Sequence, residues 1–320
     1  MNKIHFSNPA RMLGMDVDYK ASKVAVFGAP FDGTTSNKAG TKFAANAMRL
    51  ESEGLETYSP LLDLDLEDAA ICDIGNLDLS YGSVITVMSE IEIGVAGLLA
   101  DEKIPLMIGG EHLVTFPAVS AVARKHPDVH IIHLDAHTDL REDFGGSKLS
   151  HATVLKRIWD ILGDGRIFQF GIRSGTKEEF DFARVGKHTY IEPLRINTVG
   201  QVLSDLKGKK VYVTIDLDVL DPSIMSGTGT PEAGGITYRE LEEFFLFLRS
   251  AEVEIVGADI VELSPGHDPS GVSTATACKV LREMALIIDD KLSASVSDEL
   301  VAEDAATKNP KQEKIIYLKR

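Results

Sequence analysis

The chain has 320 residues, 44% of them hydrophobic, which is enough to bury a large core and lies near the upper end for a single domain. Lysine and arginine number 33 against 49 aspartates and glutamates, so the formal net charge is −16, which disfavours nucleic acids and anionic membranes as partners and suits a small cationic ligand. The two cysteines, Cys72 and Cys278, argue against a disulfide framework and fit a reducing cytoplasm.

Strand and helix patterns alternate along the chain after an arm at 1–22 that lacks the apolar core of a secretion signal. In chain order the predicted elements are strand 23–30, helix 44–50, strand 69–74, helix 83–100, strand 104–108, helix 114–125, strand 129–134, helix 150–162, strand 166–172, helices 177–184 and 199–206, strand 210–217, helix 238–249, strand 254–261 and helix 274–288. Most strands are apolar throughout, which indicates a parallel sheet covered on both faces. The predicted fold is α/β, a three-layer α/β/α domain with a mostly parallel central sheet over 1–320.

The C-terminal segment at 291–320 changes to mixed charge, with few large apolar residues before IIYL at 315–318. A helix, a disordered tail and an oligomer contact are all compatible with this composition. No apolar run approaches the ~20 residues that a membrane-spanning helix needs. The chain is therefore expected to work in the cytoplasm, without a membrane partner.

The apolar strand at 129–134 ends in three potential metal ligands, Asp135, His137 and Asp139. In an extended chain, side chains two positions apart point to the same side, so this segment can present two carboxylates and an imidazole together. Three further predicted strands also end in ionisable residues, namely His112 in GGEH, Asp216, Asp218 and Asp221 after strand 210–217, and Glu262 after strand 254–261. Because parallel strands present their carboxyl ends at one edge of a sheet, the topology predicts a single site.

Two imidazoles and four carboxylates carry too much negative charge to be buried without compensation. Divalent cations supply it, and so many oxygen and nitrogen ligands suit two ions that share bridging carboxylates. Such a pair lowers the pKa of a bridging water and produces a hydroxide nucleophile without a serine or cysteine. The residues themselves therefore predict a two-metal site that activates water.

Six segments resemble the ureohydrolase family, which includes arginases and agmatinases. They are GGEH at 109–112, DAHTD at 135–139, SHAT at 150–153, DLDVLDP at 216–222, GTGTPEAGGITYRE at 227–240 and DIVELSP at 259–265. The resemblance implies a binuclear manganese enzyme that splits a guanidinium group into urea and an amine. The segments at 29–43 and 140–153 are most similar to bacterial and archaeal agmatinases.

The resemblance also assigns metal ligands. His112 and Asp139 would be terminal ligands of one Mn²⁺, His137 and Asp218 would be terminal ligands of the other, and Asp135 and Asp216 would bridge the two ions. Many family members carry aspartate where this chain has Glu111, and this departure is expected to leave metal binding intact.

Three residues are assigned to the chemistry on the same basis. His151, in SHAT, resembles the family's mobile proton-shuttling histidine, and imidazole titrates near neutrality as that role requires. Glu262 resembles the carboxylate that receives the planar guanidinium group. The leaving amine would take its proton through Asp139 or His151, and the sequence does not rank these two.

The resemblance implies agmatine as the substrate, with putrescine and urea as products. Arginases place a carboxylate where this chain has Ser174, and the loop GGSKLS differs from the arginase loop that holds the α-carboxylate. Glu142 or Asp143 is the candidate partner for the distal ammonium of agmatine. Guanidinobutyrate stays open as an alternative substrate because Lys148 and Arg173 could hold a carboxylate.

A function of another class is a non-catalytic, metal-stabilised oligomeric binding protein. A metal-dependent amide deacetylase is a more distant alternative, which Glu262 disfavours because a carboxylate there favours a cationic substrate. The family resemblance also suggests a homo-oligomer, either a trimer or a hexamer.

The remaining ionisable residues are expected to be structural. Asp221, which precedes Pro222, is expected to shape a turn, and Asp259 is expected to orient a ligand imidazole. His126, His130 and His133 are interpreted as solvated or core residues, and His5, His188 and His267 have no partner pattern.

Overall fold

The structure, a computed structural model, describes residues 6–7, 10–185, 188–192 and 196–307. Its strands are β1 (Phe6–Ser7), β2 (Val24–Gly28), β3 (Tyr58–Ser59), β4 (Leu64–Asp65), β5 (Ile71–Leu77), β6 (Ile104–Ile108), β7 (His130–Leu134), β8 (Ile167–Phe170), β9 (Tyr190–Glu192), β10 (Lys210–Asp216) and β11 (Glu254–Val261). Its helices are α1 (Ala44–Ser52), α2 (Val84–Ala100), α3 (Thr115–Lys125), α4 (Val154–Leu162), α5 (Lys177–Val185), α6 (Ile196–Asp205), α7 (Tyr238–Ser250) and α8 (Val272–Thr307).

Nine of the described strands form one sheet, in the order β1-β5-β2-β6-β11-β10-β7-β8-β9. β1 pairs with β5 in the antiparallel direction, and the other eight strands are parallel. β3 and β4 form a separate two-stranded antiparallel ribbon. The prediction of a mostly parallel central sheet is confirmed.

The two faces of the sheet bury two separate apolar layers, because successive side chains of a strand point to opposite faces. On β10, Val211, Val213 and Ile215 join the layer formed with α1, α6, α7 and α8. Tyr212 of the same strand joins the other layer, formed with α2, α3 and α4. The three-layer α/β/α prediction is therefore confirmed.

Short sequence signals define where the helices begin. Ser83 accepts a hydrogen bond from the backbone N–H of Thr86 at the start of α2, as its predicted capping role requires. Thr237 and Glu240 form a capping box at the start of α7. The sequence did not predict β1, β3, β4 or β9, since strands of two or three residues are too short to show a period.

The last helix is longer than predicted. The periodic pattern indicated a helix at 274–288, whereas α8 continues to Thr307, so the first part of the 291–320 segment is helical. Residues 308–320 lie outside the described part of the chain. Within the described residues, no helix combines the length and apolar character needed to cross a membrane.

Four neighbouring strands carry the predicted site. β6, β11, β10 and β7 lie side by side and parallel, so their carboxyl ends meet at one edge of the sheet. Near that edge Ile108 pairs with Ile260, and Ile215 pairs with Leu134. Segments that are more than a hundred residues apart in sequence therefore enter the same crevice.

Candidate metal centre

The ligand cluster (His112, Asp135, His137, Asp139, Asp216 and Asp218) lies at this edge. A close backbone approach helps to build it: a Cβ atom on Gly110 would lie 1.8 Å from the carbonyl oxygen of Phe31, so only glycine fits between β6 and the loop after β2. Glu111 N–H donates to that same carbonyl at 2.8 Å. The GGEH segment is thus held against the neighbouring loop and turns His112 into the crevice.

Three carboxylates surround Nδ1 of His112. This nitrogen lies 3.1 Å from Asp135 Oδ2, 3.2 Å from Asp139 Oδ2 and 3.2 Å from Asp216 Oδ2. It is buried, and no hydrogen-bond partner satisfies it. A nitrogen lone pair and three carboxylate oxygens that face one another, all shielded from solvent, form a donor set suited to a cation.

A second group forms around His137. Its Nδ1 lies 2.9 Å from Asp218 Oδ2 and 3.5 Å from Asp135 Oδ1. Asp135 therefore presents Oδ2 to the His112 group and Oδ1 to the His137 group, the arrangement expected of a carboxylate shared by two ions. Asp216 presents Oδ2 to His112, while its Oδ1 accepts the backbone N–H of Asp218 at 2.8 Å.

Most pKa values of the ligand cluster are shifted upward because the buried cluster has an excess of negative charge. Burial lowers the pKa of His112, but contacts with Asp135, Asp139 and Asp216 outweigh that effect and hold the pKa well above its ordinary value. Burial also lowers the pKa of His137, but contacts with Asp135 and Asp218 outweigh that effect and raise the pKa to about 12. Burial and the neighbouring carboxylates raise the pKa values of Asp139 and Asp216. Protons would have to be retained here unless metal cations supplied the positive charge.

Hydrogen bonds on the far side of the ligands favour metal binding. Thr214 donates its hydroxyl proton to Asp259 Oδ1 at 2.6 Å, so at 3.0 Å it must accept a proton from Nε2 of His112. With its proton on Nε2, the neutral His112 ring has a lone pair on Nδ1, inside the ring of carboxylates. Asp259 acts on His112 through Thr214, which agrees with its predicted orienting role. His112 and the carboxylates therefore fit a metal ion.

His133 supports the cluster in a way that the sequence interpretation did not include. The amide of Gln169 donates to Nδ1 of His133 at 3.1 Å and Thr189 donates to Oε1 of that amide, so Nε2 of His133 donates to Asp135 Oδ2 at 2.8 Å. His133 is fully buried, as the core interpretation predicted, but its ring holds the shared carboxylate in place. Its position two residues before Asp135, on the same strand face, is the sequence signal that could have indicated this contact.

Two residues of the site adopt a left-handed backbone that side chains rarely take. Asp139 has φ 53° and Glu262 has φ 66°. The carbonyl of Asp139 accepts hydrogen bonds from Leu155 N at 3.0 Å and Lys156 N at 3.2 Å, and Glu262 N–H donates to the carbonyl of Gly110 at 2.9 Å. Such conformations cost about 1–3 kcal/mol each and persist where surrounding contacts enforce them.

Glu262 lies beside the ligand cluster, with its Oε1 2.7 Å from the backbone N–H of His112, which donates to it. Burial and the nearby Glu111 raise its pKa well above the ordinary value, because a second negative charge in this crevice is unfavourable. Its other oxygen, Oε2, lies 3.6 Å from the point that a Cβ on Gly229 would occupy. A bound cationic group would restore the charge on this carboxylate.

Glu111, the departure from the usual aspartate, binds the loop after β2. Its carboxylate accepts hydrogen bonds from Thr34 N at 2.8 Å, from the Thr34 hydroxyl and from the Thr35 hydroxyl at 3.0 Å. Burial raises its pKa to about 7 against the opposing effect of these bonds. The extra methylene of Glu111 thus serves a loop contact.

The same loop orients His151. Thr34 O accepts from Nδ1 of His151 at 3.0 Å, which places the ring proton on Nδ1 and leaves Nε2 as the proton acceptor, 3.1 Å from Ser36 Oγ. Burial lowers the pKa of His151, and the nearby His112 adds to that effect. The ring is therefore neutral at pH 7, and Nε2 can accept a proton.

A cavity of about 260 Å³ opens over the ligand cluster. Six predicted site residues line it, namely His137, Asp139, His151, Ser174, Asp216 and Glu262. The cavity wall also contains Arg141, Phe144 and Glu179, which the sequence interpretation did not assign. Glu179 is buried, and its carboxylate accepts hydrogen bonds from Thr138 Oγ1 at 2.7 Å and Thr176 N at 2.7 Å.

The four candidate tail contacts, Glu142, Asp143, Lys148 and Arg173, all lie outside the cavity lining, and their contact with a substrate stays a prediction. Glu142 and Asp143 do not belong to the residues that line the cavity. Glu142 instead pairs with Lys148 at 3.0 Å, Lys156 at 3.2 Å and Arg157 at 3.4 Å, while Asp143 accepts the Gly146 N–H. Arg173 donates its guanidinium hydrogens to backbone carbonyls, and Lys148 pairs with Glu142.

The other ionisable residues lie away from the ligand cluster. Asp221 accepts backbone N–H groups of Ser223, Gly234 and Gly235, as a turn-forming residue does. His188 pairs with Asp164 at 2.6 Å, His267 contacts the carbonyl of Ala39, and His126 and His130 are partly exposed, while His5 lies outside the described residues.

Comparison with known proteins identifies the relatives of this site. The model of the arginase family matches residues 22–287. An agmatinase of Bacillus cereus is 45% identical over 273 residues, which are 84% of this chain and 92% of that protein. A guanidinobutyrase of Pseudomonas aeruginosa is 30% identical over 300 residues, which are 89% of this chain and 90% of that protein. A crystal structure from Clostridium difficile, provisionally assigned as an agmatinase, has a TM-score of 0.84 and 58% identity, covering 86% of this chain and 100% of that one.

Proposed function

The chain belongs to the arginase family and is a hydrolase of that family, and from this premise we propose that it hydrolyses agmatine to putrescine and urea. The agmatinase of Bacillus cereus supports this substrate through its 45% identity over most of both chains. The single observation that carries the proposal is the pair of ligand groups that share Asp135, beside the buried carboxylate of Glu262, for which the described part of the chain provides no lysine or arginine partner.

The proposed metal centre holds two Mn²⁺ ions. His112 and Asp139 would bind one ion, His137 and Asp218 would bind the other, and Asp135 and Asp216 would bridge them. The unsatisfied Nδ1 of His112 and the two-sided contacts of Asp135 support this assignment. When bound, such an ion pair supplies the positive charge that activates a water molecule near neutral pH.

The side chains around the cavity would perform the remaining steps. Glu262 would bind the guanidinium group, whose positive charge restores the ionised form of this buried carboxylate. Water adds to the guanidinium carbon, and the bond from that carbon to the alkyl nitrogen then breaks, so that urea and a primary amine leave. The proton that the attacking water loses would be carried to the leaving amine either by His151, which would accept it at Nε2 and then donate it from Nε2, or by Asp139.

The charges of the cavity support agmatine over a guanidino acid. A cation would favour the carboxylate of a guanidino acid, and each of the three described cationic candidates already has a partner in the protein. Arg173 binds carbonyls, Lys148 pairs with Glu142, and Arg141 lies 3.6 Å from Glu179 and over the Phe144 ring. The dicationic agmatine instead suits an acidic crevice.

We further propose one domain over the whole chain, a cytoplasmic location and a homo-oligomer, either a trimer or a hexamer. The continuous sheet and the two apolar layers support a single domain, and the buried, unpaired Cys72 and Cys278 fit a reducing compartment. Light scattering of the purified protein would measure the oligomer.

Urea release tests the proposal directly. Purified protein loaded with Mn²⁺ would be assayed with agmatine, 4-guanidinobutyrate and arginine at equal concentrations, and its metal content would be measured by mass spectrometry. We expect agmatine to have the highest kcat/KM and two metal ions to be present per subunit. Agmatine turnover no better than that of arginine contradicts the substrate, and bound metal without urea from any guanidine favours the non-catalytic alternative.

A further inference from the structure

We propose that Glu232 binds the distal ammonium group of the substrate and so selects a diamine-type guanidine; this inference rests on the proposed function. Glu232 lies in the segment GTGTPEAGG, between β10 and α7. The sequence interpretation placed the ammonium at Glu142 or Asp143, on a different segment.

The backbone of Glu232 is attached firmly to the metal centre by Arg173. The Arg173 Nη2 donates to the carbonyl of Glu232 at 2.8 Å and to the carbonyl of Asp218 at 2.6 Å, and Nη1 donates to the carbonyl of Val219 at 3.2 Å. One planar guanidinium group thus joins the segment of Glu232 to the turn that carries a proposed metal ligand. The distance between Glu232 and the ligand cluster is therefore restrained, as a specificity contact requires.

Glu232 does not itself line the cavity, but its side chain contacts two residues that do, Ser174 and His137. Its Oε1 accepts a hydrogen bond from Ser174 Oγ at 3.0 Å and lies 3.9 Å from Nε2 of His137. Ser174 and His137 both line the cavity, and the carboxylate is 43% exposed, so a ligand can reach it. In the described residues, no lysine or arginine forms an ion pair with it.

The imidazole of His137 sets the spacing. Its Nδ1 faces Asp218 in the ligand cluster, and Nε2 on the opposite side of the ring faces Glu232. His137 therefore lies between a carboxylate of the ligand cluster and Glu232, which places Glu232 one imidazole ring beyond a proposed metal ligand. An alkyl ammonium that reaches Glu232 gains a charge-assisted hydrogen bond with a carboxylate whose described partners are the Ser174 hydroxyl at 3.0 Å and, more distantly, the His137 ring at 3.9 Å.

Two other carboxylates near the cavity, Glu142 and Glu179, already have partners in the protein. Glu142 has three cationic partners, and contacts with Lys148 and Lys156 lower its pKa to about 2. Glu179 is buried, and both of its oxygens accept hydrogen bonds. The ammonium group of agmatine would have to displace existing partners at Glu142 or Glu179. The carboxylate of Glu232 is exposed and has no lysine or arginine partner among the described residues.

The test compares Glu232→Gln with the matched variant Glu142→Gln, which removes a similarly exposed carboxylate that does not line the cavity. The substrates are agmatine and butylguanidine, which has the same guanidinium and alkyl chain but no ammonium. For Glu232→Gln we expect the KM of agmatine to rise about 10- to 100-fold with kcat little changed. The kinetics of butylguanidine should stay the same, and Glu142→Gln should match the wild type on both substrates.

Calorimetry with putrescine supplies a readout that does not depend on turnover. We expect the Kd of putrescine to rise in Glu232→Gln by a factor similar to that of the KM, and the manganese content to stay unchanged. If the wild type hydrolyses agmatine, and Glu232→Gln has the same KM for agmatine and the same Kd for putrescine as the wild type, this subsite is overturned and the proposed function stands. Loss of manganese, or an equal loss with butylguanidine, overturns it in favour of a role for Glu232 in holding His137. Wild-type protein that does not prefer agmatine to arginine overturns the proposed function and this subsite together.

Discussion

The ligand cluster and the α4 ion-pair cluster differ in what balances their carboxylates. In the α4 ion-pair cluster, Glu142 and Lys148 of the preceding loop meet Lys156, Arg157 and Asp160 of α4, and the lysines and the arginine contact the two acids at 2.5–3.4 Å. In the ligand cluster, the described contacts of the four carboxylates include histidine rings but no lysine or arginine.

The presence or absence of cationic partners distinguishes acidic residues that stabilise the surface from acidic residues that bind a ligand. An exposed acid with cationic partners contributes about 0–1 kcal/mol and has no need of a ligand. Four buried carboxylates with two imidazoles remain unbalanced, and the upward pKa shifts of Asp139 and Asp216 express that imbalance. The unpaired buried acids are therefore the ones that require metal ions.

The largest expected effect that tests this contrast is that of Asp135→Asn. This substitution removes the charge shared by the two ligand groups, so we expect loss of most bound manganese and a fall in kcat/KM of about 1,000-fold or more. Metal content by mass spectrometry and urea release measure the two effects. Asp143→Asn, an exposed aspartate four residues after Asp139, is the control and should retain metal. Full metal occupancy in Asp135→Asn would contradict the shared-carboxylate assignment.

The next effect concerns the proton carried by His151. Because burial lowers its pKa, the ring stays neutral at pH 7 and becomes cationic only when the pH falls through that lowered value. The wild-type kcat should therefore be maintained above the ordinary histidine value of 6.5 and fall on acidification below it. We expect His151→Asn to lower kcat about 100-fold or more and to abolish this acid limb. An acid limb that persists in the variant would assign the proton to Asp139.

A smaller effect is expected for His133→Leu, which removes the hydrogen bond to Asp135 but keeps the strand apolar. Loss of a residue that orients a metal ligand typically weakens metal binding about 10- to 100-fold. Titration of the metal-free protein with Mn²⁺, followed by calorimetry, measures this change, and circular dichroism verifies folding. His130→Leu, on the same strand, has no contact with the ligand cluster and should bind Mn²⁺ like the wild type. Equal affinities in the two variants would show that the contact of His133 is dispensable.

The smallest effect belongs to the α4 side of the comparison. Glu142→Gln removes one partner from an exposed ion-pair cluster, so we expect kcat/KM for agmatine to change by less than about twofold. Steady-state urea assays at several salt concentrations measure it. A large rise in the KM for agmatine would indicate that Glu142 binds the ammonium group, as the sequence interpretation predicted. It would also show that an acid with cationic partners can serve function as well as structure.

Much of the fold followed from local patterns, because long strands and helices carry a clear apolar period. β6 and β11 begin and end at the predicted residues, and α2 begins after its predicted cap. The motifs likewise indicated every member of the ligand cluster. Contacts between distant segments were less accessible: Glu232 and Ser174 are 58 residues apart in sequence, and no local pattern joins them.

The sequence by itself determined the fold class, the ligand types and the strand ends that carry them, because these depend on side-chain chemistry and on periods within single segments. Only the tertiary structure decided which carboxylates have cationic partners and which do not. Glu142 is preceded by the metal-ligand motif and looks available in sequence, yet Lys156 and Arg157 of α4 fold back onto it. Charge balance depends on distances in space, and the packing of segments that are remote in sequence sets those distances.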